Sequence, residues 1–291
     1  MRVTQGMLTN NMLQNLASSN QRMNQYMEQL STGKKITRPS DDPVIAMKGM
    51  DYRTEVKQVE QYMRNTSELH NWMDNSDAAL DKTTQGLQRL RELAVQASND
   101  TYDAEERLNI QEEAMELKEH LVEIANTQVN DKYIFNGTDT NSRPVADDGT
   151  ILRDGETQPV EIAVAQGTTL QASVNPDDVF SQEFFTRIDQ FITGLGENDR
   201  NAIEGSLEAI DENINATINT RAELGARMNR LELVENRLSE QEIIATRTMS
   251  ENEDVDYSKA IMELMTQESL HRAALSAGSR IIQPSLMDFL R

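Results

Sequence analysis

The chain has 291 residues, 28 Lys and Arg against 49 Asp and Glu for a net charge of −21, no cysteine, three histidines and 4% aromatic residues. The acid surplus excludes sequence-independent nucleic-acid binding, which needs cations along the phosphates. The missing thiols exclude disulfides, thiolate metal sites and cysteine nucleophiles, and no apolar run approaches the ~20 residues that span a bilayer.

A soluble, helical, acidic interaction protein is therefore expected, with no catalysis and no cofactor. Arg2 is followed by no apolar stretch of the kind a Sec-type leader carries. The N-terminal end is uncharged in an unusual way, since sixteen of residues 1–33 are Asn, Gln, Ser or Thr and only three are charged. Leu16, Met23 and Leu30 nevertheless repeat every seven residues, with Leu13 and Met27 beside them, which is a narrow helical seam. The run Pro39, Asp41, Asp42, Pro43 then reads as a bend leading into a helix, with Pro43 at the first helical position and the acids at the positive end of the dipole. Cation binding by the two aspartates is the weaker reading.

No proline falls between residues 44 and 143 or between 177 and 283, so long helices belong in those tracts. In the first, Val59, Met63, Thr66, Leu69, Met73, Ser76, Leu80, Thr83, Leu87, Leu90 and Ala94 share one 3–4 stripe. That predicts a helix over 44–98, ~80 Å long at the usual rise. Asn99-Asp100-Thr101 breaks it, and Asp103 caps a second helix over 104–130 with Leu117, Leu121 and Ile124 inward.

Six of thirteen glycines and five of six phenylalanines (Phe135, Phe180, Phe184, Phe185, Phe191) lie in the short stretch that follows. Alternation over 160–164 and 169–174 about Gln166-Gly167-Thr168 predicts a hairpin. The expectation is a β-rich insert over 137–196 with a phenylalanine core of its own, closed by a helix near 181–193. Asn136-Gly137-Thr138 fits a glycosylation acceptor but reads better as a turn.

From Ile203 the seam resumes through Leu207, Ile210, Ile214, Thr217, Arg221, Leu224, Met228, Leu231, Glu235, Leu238, Glu242 and Ala245. A seam this long needs helical partners along its length, and the three charged members point to a three-helix bundle rather than a two-stranded coil. The last segment carries Leu270, Ala274, Ala277 and Ile281, then Leu286, Phe289 and Leu290. Residues 1–40 have a net charge of +4 and residues 255–291 of zero, leaving −25 for 41–254. Two narrow, nearly neutral end helices are marginal alone and are expected to gain order on assembly.

Two sharper chemical readings are weaker than their plain alternatives. Glu268 and His271 have the Glu-x-x-His spacing of di-iron bundles, but no second such pair exists, so a surface or interface pair is expected and no metal site. Glu116 and His120 with Glu119 and Glu123 read as a solvated acidic face. Met63, Met73 and Met228 read as core, whereas Met12, Met23 and Met27 read at least as well as interface.

The stretch Leu30-Ser-Thr-Gly-Lys-Lys-Ile-Thr-Arg-Pro-Ser-Asp-Asp-Pro-Val-Ile-Ala-Met47 resembles the N-terminal signature of the bacterial flagellin family. Glu92-Leu-Ala-Val-Gln-Ala-Ser-Asn-Asp-Thr101, Ile124-Ala-Asn-Thr127, Lys132-Tyr-Ile-Phe-Asn-Gly137 and Arg221-Ala-Glu-Leu-Gly-Ala-Arg-Met-Asn-Arg-Leu231 resemble it in the same order. The ends, Met1-Arg-Val-Thr-Gln-Gly-Met7 and Ile281-Ile-Gln-Pro-Ser-Leu-Met-Asp-Phe-Leu290, are nearer to members that join hook to filament than to flagellin itself.

The resemblance implies a mainly α fold, an elongated rod of long antiparallel helices with paired terminal helices and a small β-rich insert. It implies terminal axial segments at 1–43 and 250–291, a helical rod domain at 44–136 and 197–249, and an inserted domain at 137–196. The implied role is a structural, extracellular flagellar subunit exported by the type III apparatus. Its implied partners are copies of itself in a ring, the first hook-associated protein, flagellin, and an export chaperone near the C-terminus, with no nucleic acid and no membrane. Met12, Leu13, Leu16, Met23, Met27, Leu30, Leu270, Ala274, Ala277, Ile281, Leu286, Phe289 and Leu290 form the expected assembly interface. Pro39, Asp41, Asp42 and Pro43 form the expected hinge between axial and rod segments.

Overall fold

The computed structural model describes residues 5–99, 103–153 and 157–282. Among these described residues are six α-helices: α1 (Gln5–Thr32), α2 (Pro43–Ala97), α3 (Ala104–Ala125), α4 (Gln182–Glu197), α5 (Arg200–Glu253) and α6 (Tyr257–Ile282). Between α3 and α4 lie two antiparallel hairpins, β1 (Gln128–Val129) with β2 (Lys132–Tyr133), and β3 (Glu161–Ala165) with β4 (Thr168–Gln171). The chain divides into two compact units, residues 1–58 with 241–291, and residues 59–240.

The second unit holds the hydrophobic core. Along α2 the expected stripe is buried from Val59 through Ala94, with Met63 partly so. Its polar members stay inside because Thr66, Ser76 and Thr83 donate to the carbonyls of Met63, Trp72 and Ala79 at 2.9 Å within their own helix. Facing it, the α5 seam buries Ile203, Ile210, Leu224, Leu231 and Leu238. Arg221 stays in that seam by forking onto Asp77 (2.7 and 3.1 Å) and Asp81 (2.5 Å), which hold its guanidinium far above the ordinary arginine range, with burial opposing. Arg89 to Glu113 ties α2 to α3, and Arg91 to Asp211 ties α2 to α5, so three helices pack together as the charged seam predicted.

Two expectations are corrected. The helix starting after Asp103 ends at Ala125, not near 130. Asn126 turns its side chain onto Val122 O (2.9 Å) and Val145 O (3.0 Å), and the chain reverses through Asn130 and Asp131 at φ of 53° and 62°. Positive φ at both central residues gives the twist of a type I′ hairpin, which stops a helix outright. The insert also lacks a separate core, because its phenylalanines belong to the same buried cluster as the helical seams. Phe135 meets Phe180 edge-on at 5.0 Å, and Phe184 meets Phe185 likewise. Ion pairing of Lys118 with Asp189, and Gln111 donating to Ile192 O, bind α3 to α4. The hairpin itself stands as read, with Gly167 at φ 72° in its turn and Val164 and Leu170 facing inward.

Leu87→Ala, at a fully buried seam position, is expected to lower unfolding stability by about 2–5 kcal/mol. Leu233→Ala, at a position 71% exposed, should change it by less than about 0.5 kcal/mol. Urea denaturation of the two variants checks both values.

Candidate assembly interface

The terminal unit is built differently from the core unit. Among the described residues its fully buried apolar side chains are two alanines, Ala245 and Ala260. Yet of the twenty large apolar side chains that stand exposed among the described residues, fourteen belong to this unit, which is just over a third of the chain. They include Val44, Met47 and Met50 at the start of α2, Ile243 and Ile244 near the end of α5, and Ile261, Met262 and Met265 on α6.

What holds the unit together is polar. Glu253, the last residue of α5, is only 4% exposed. Arg53 of α2 forks onto it, Nε to Oε1 at 2.6 Å and Nη2 to Oε2 at 2.7 Å, and Lys34 reaches Oε2 at 3.3 Å. Lys34 also binds Asp254 at 2.7 Å, while Ser250 donates to the other Asp254 oxygen at 2.5 Å. The backbones join as well: Lys35 N donates to Glu253 O at 2.7 Å and Val255 N to Gly33 O at 2.9 Å.

Two glycines make room for this clamp. A Cβ on Gly49 would lie 2.6 Å from Glu253 Oε1, and Gly33 takes a left-handed φ of 72° against the Tyr257 hydroxyl. Burial pushes the Glu253 carboxyl up, but hydrogen bonds from Arg53 and then Lys34 outweigh it and leave it lowered. Hydrogen bonds from Lys34 and Ser250 lower Asp254, and the bond to Asp254 raises Lys34 against the effect of burial.

The expected hinge residues sit beside the clamp. Asp41 accepts from Arg38 N at 2.9 Å and closes a turn. Asp42 accepts from Val44 N (2.9 Å) and Ile45 N (3.1 Å) and so caps α2, with Pro43 as its first residue, while Pro39 is exposed. A cavity of about 220 Å³ opens here between Ile36, Pro39, Ile45, Ala46 and Met50, so the chain's own side chains do not fill the bend. Lys34, Arg53 and Glu253 were not singled out from the sequence.

The expected interface residues divide by where they face. Met12, Leu16, Met23, Leu30 and Ala274 are half-buried in the pairing of α1 with α6, whereas Leu13, Met27, Leu270 and Ala277 are exposed. Leu286, Phe289 and Leu290 lie outside the described residues, and the side chain of Ile281 is not described. Glu268 pairs with Arg272 at 3.2 Å, and no cluster of metal-ligating side chains occurs among the described residues. His120 lies 3.6 Å from Glu123 on the exposed face of α3. Among the described residues no helix is long and apolar enough to cross a membrane.

The sequence matches the family model described as the bacterial flagellin N-terminal helical region over residues 3–140, and that of the C-terminal helical region over 207–290. The chain belongs to the bacterial flagellin family. As a member it is a structural flagellar protein and not an enzyme. Flagellar hook-associated protein 3 of Escherichia coli is 26% identical across 95% of this chain and 96% of its own length. The flagellin of Bacillus subtilis is 29% identical across 94% of each. Among solved structures, Bacillus cereus FlgL superposes with a TM-score of 0.60 at 24% identity, covering 69% of this chain and 99% of that one. Flagellar hook associated protein-3 from Legionella pneumophila gives 0.62 at 15% identity, covering 69% and 97%, so the fold is shared.

Arg53→Met leaves the buried Glu253 carboxylate to Lys34 alone. The expected cost is about 1–3 kcal/mol, toward the lower end because Arg53 is itself 58% exposed. Acid should act on the same clamp. Because Glu253 and Asp254 are lowered, their contribution is complete above the unfolded carboxylate range, about pH 4–4.5, and is lost as pH falls through their folded values. The raised Lys34 keeps its share until pH climbs past the ordinary lysine value, about 10.4. Hydrogen exchange at 33–35 and 250–255 checks both, with Glu253→Gln showing the smaller acid dependence.

Proposed function

We propose that this chain is the subunit that joins the flagellar hook to the filament, assembling through its terminal helices. The observation that carries the reading is the end-to-end match to flagellar hook-associated protein 3 of Escherichia coli. The physical support is the terminal unit, whose apolar side chains stand uncovered in one copy.

Copies of the chain are then its first partners, arranged in a ring. The first hook-associated protein lies on the hook side, flagellin on the filament side, and an export chaperone binds near the C-terminus before assembly. Export follows the flagellar type III route and leaves the subunit outside the cell. Leu13, Met27, Leu270 and Ala277 face neighbours, Met12, Leu16, Met23, Leu30 and Ala274 hold the axial pair together, and Ile281, Leu286, Phe289 and Leu290 continue the same interface. Residues 1–43 and 250–291 act as axial segments, 44–136 and 197–249 as the rod, and 137–196 as an outward domain, with Pro39 to Pro43 as the bend between axial and rod segments.

Charge supports the same arrangement. The ends carry +4 and zero while 41–254 carries −25, so like copies meet where they repel least. Acidic surfaces held more than about 8 Å apart are screened at physiological salt. Exposed methionines at Met27, Met47, Met50, Met262 and Met265 suit a surface that must fit unlike neighbours, because the thioether chain adapts its shape.

A second reading, filament flagellin, rests on the 29% identity to the Bacillus subtilis protein. Deleting the gene separates the two. Loss of motility with unpolymerised flagellin shed into the medium is expected for a junction subunit. Long filaments growing from the purified chain alone would instead identify it as flagellin.

A further inference from the structure

The bend between α1 and α2 leaves a space that no described side chain fills. Ile36, Pro39, Ile45, Ala46 and Met50 line this cavity of about 220 Å³. An apolar cavity of about 150 Å³ already takes a benzene ring, so one large aliphatic or methionine side chain fits here. Polar groups in its wall are spent on partners within the chain. Arg53 and Glu253 hold each other, and the Thr37 hydroxyl donates to Glu28 Oε1 at 2.8 Å. What they leave for an occupant is apolar. The walls also stand without the pairing of α1 with α6. One is the first turns of α2, and the other is residues 36–39. Lys35 N to Glu253 O pins that segment at its start, and the Asp41 turn and Asp42 cap pin it at its finish.

The undescribed residues of the same copy fall short of this place. The cavity lies beside Glu253, at the end where α1 finishes and α6 begins. With α6 formed, Ile282 is ~38 Å from Tyr257, and residues 283–291 span at most ~32 Å fully extended. At the other end α1 is ~40 Å long, against ~14 Å for residues 1–4.

Charge then selects the occupant. Residues 1–58 and 241–291 hold thirteen Lys and Arg against thirteen Asp and Glu, so the whole net charge of −21 lies on residues 59–240. Two copies therefore repel each other least where their terminal units meet. That unit also carries side chains of the right kind, since Ile243, Ile244, Ile261, Met262 and Met265 stand 46–65% exposed. A socket and a knob at different places on one chain make a head-to-tail contact, which closes into a ring or runs on as a helix.

We infer that the bend cavity is a socket for one isoleucine or methionine side chain from the end of α5 or the start of α6 of a second copy. Filling it packs residues 36–39 onto α2, so the neighbouring copy holds the bend. This rests on the self-assembly proposed above but not on the choice between junction and filament, because both set copies side by side.

The photoreactive residue p-benzoylphenylalanine in place of Met47, which is exposed and next to Ala46, reads the occupant in flagella purified from cells making the full chain. Irradiation is expected to give an adduct of twice the chain mass, joining position 47 to a peptide between residues 241 and 268 of another copy. Mass spectrometry of the joined peptides identifies it. Ala46→Leu fills the cavity from inside and should lower the adduct about tenfold or more. Hydrogen exchange at 33–35 and 250–255 of the free A46L chain should stay as slow as before, and Ala46→Ser should leave the adduct unchanged. Adducts confined to any other peptide or to an unlike protein, no adduct at all, or an adduct undiminished by A46L would overturn the inference. A missing adduct in flagella that contain the chain fails the socket alone, since flagellin shed on gene deletion reports the junction role separately.

Discussion

A single carboxylate, Glu253, closes the terminal unit. Removing an ion of this kind from water costs several kcal/mol, which is recovered only with close partners in good geometry. Glu253 has both, through a forked guanidinium from α2 and an ammonium from the segment after α1. Its own backbone carbonyl takes Lys35 N–H, so three stretches far apart in sequence meet at one residue. Nothing apolar in that unit performs the same task, since its fully buried apolar side chains among the described residues are alanines. Gly49 and Gly33 follow from this closure, because a larger side chain at either would displace the group it approaches.

That constraint separates two ways of being stable. Residues 59–240 bury leucine, isoleucine and phenylalanine in one continuous cluster. The terminal unit relies on directional polar contacts at its closed end and a thin seam of methionine, alanine and glycine beyond it. Such a seam removes little apolar area from water for each ordered residue, so ordering entropy is only narrowly offset. Among the described residues, fourteen of its large apolar side chains are exposed, while Leu16, Met23 and Leu30 are half-buried.

Periodicity made the long helices legible. The stripes on α2 and α5 were readable because every third or fourth residue meets the same environment for many turns, and even Arg221 kept its place once Asp77 and Asp81 could receive it. The end of α3 was not legible for the opposite reason. Asn130-Asp131 lacks the glycine that usually marks a type I′ turn, and residues 126–130 alone are compatible with another turn of helix. Glu253 was hidden in Ser-Glu-Asn-Glu-Asp, a run that reads as solvated surface. Its partners lie about two hundred residues away, and no local pattern encodes so distant a pairing.

The heptad at the N-terminal end was read correctly as a seam, but a heptad alone does not say how many seams a helix carries. Leu13 and Leu16 were grouped as one face, yet Leu16 turns toward α6 while Leu13 is exposed, and Met27 departs from Met23 and Leu30 in the same way. Leu13 and Met27 each follow a half-buried residue, Met12 and Tyr26, by one position, and the 100° turn per residue carries them off the face that meets α6. An α1 that satisfied α6 with every apolar side chain would have none left for another molecule. Dividing them lets one short helix bind within its own chain and still present a second, methionine-bearing face outward, and the division requires the internal seam to be as thin as it is.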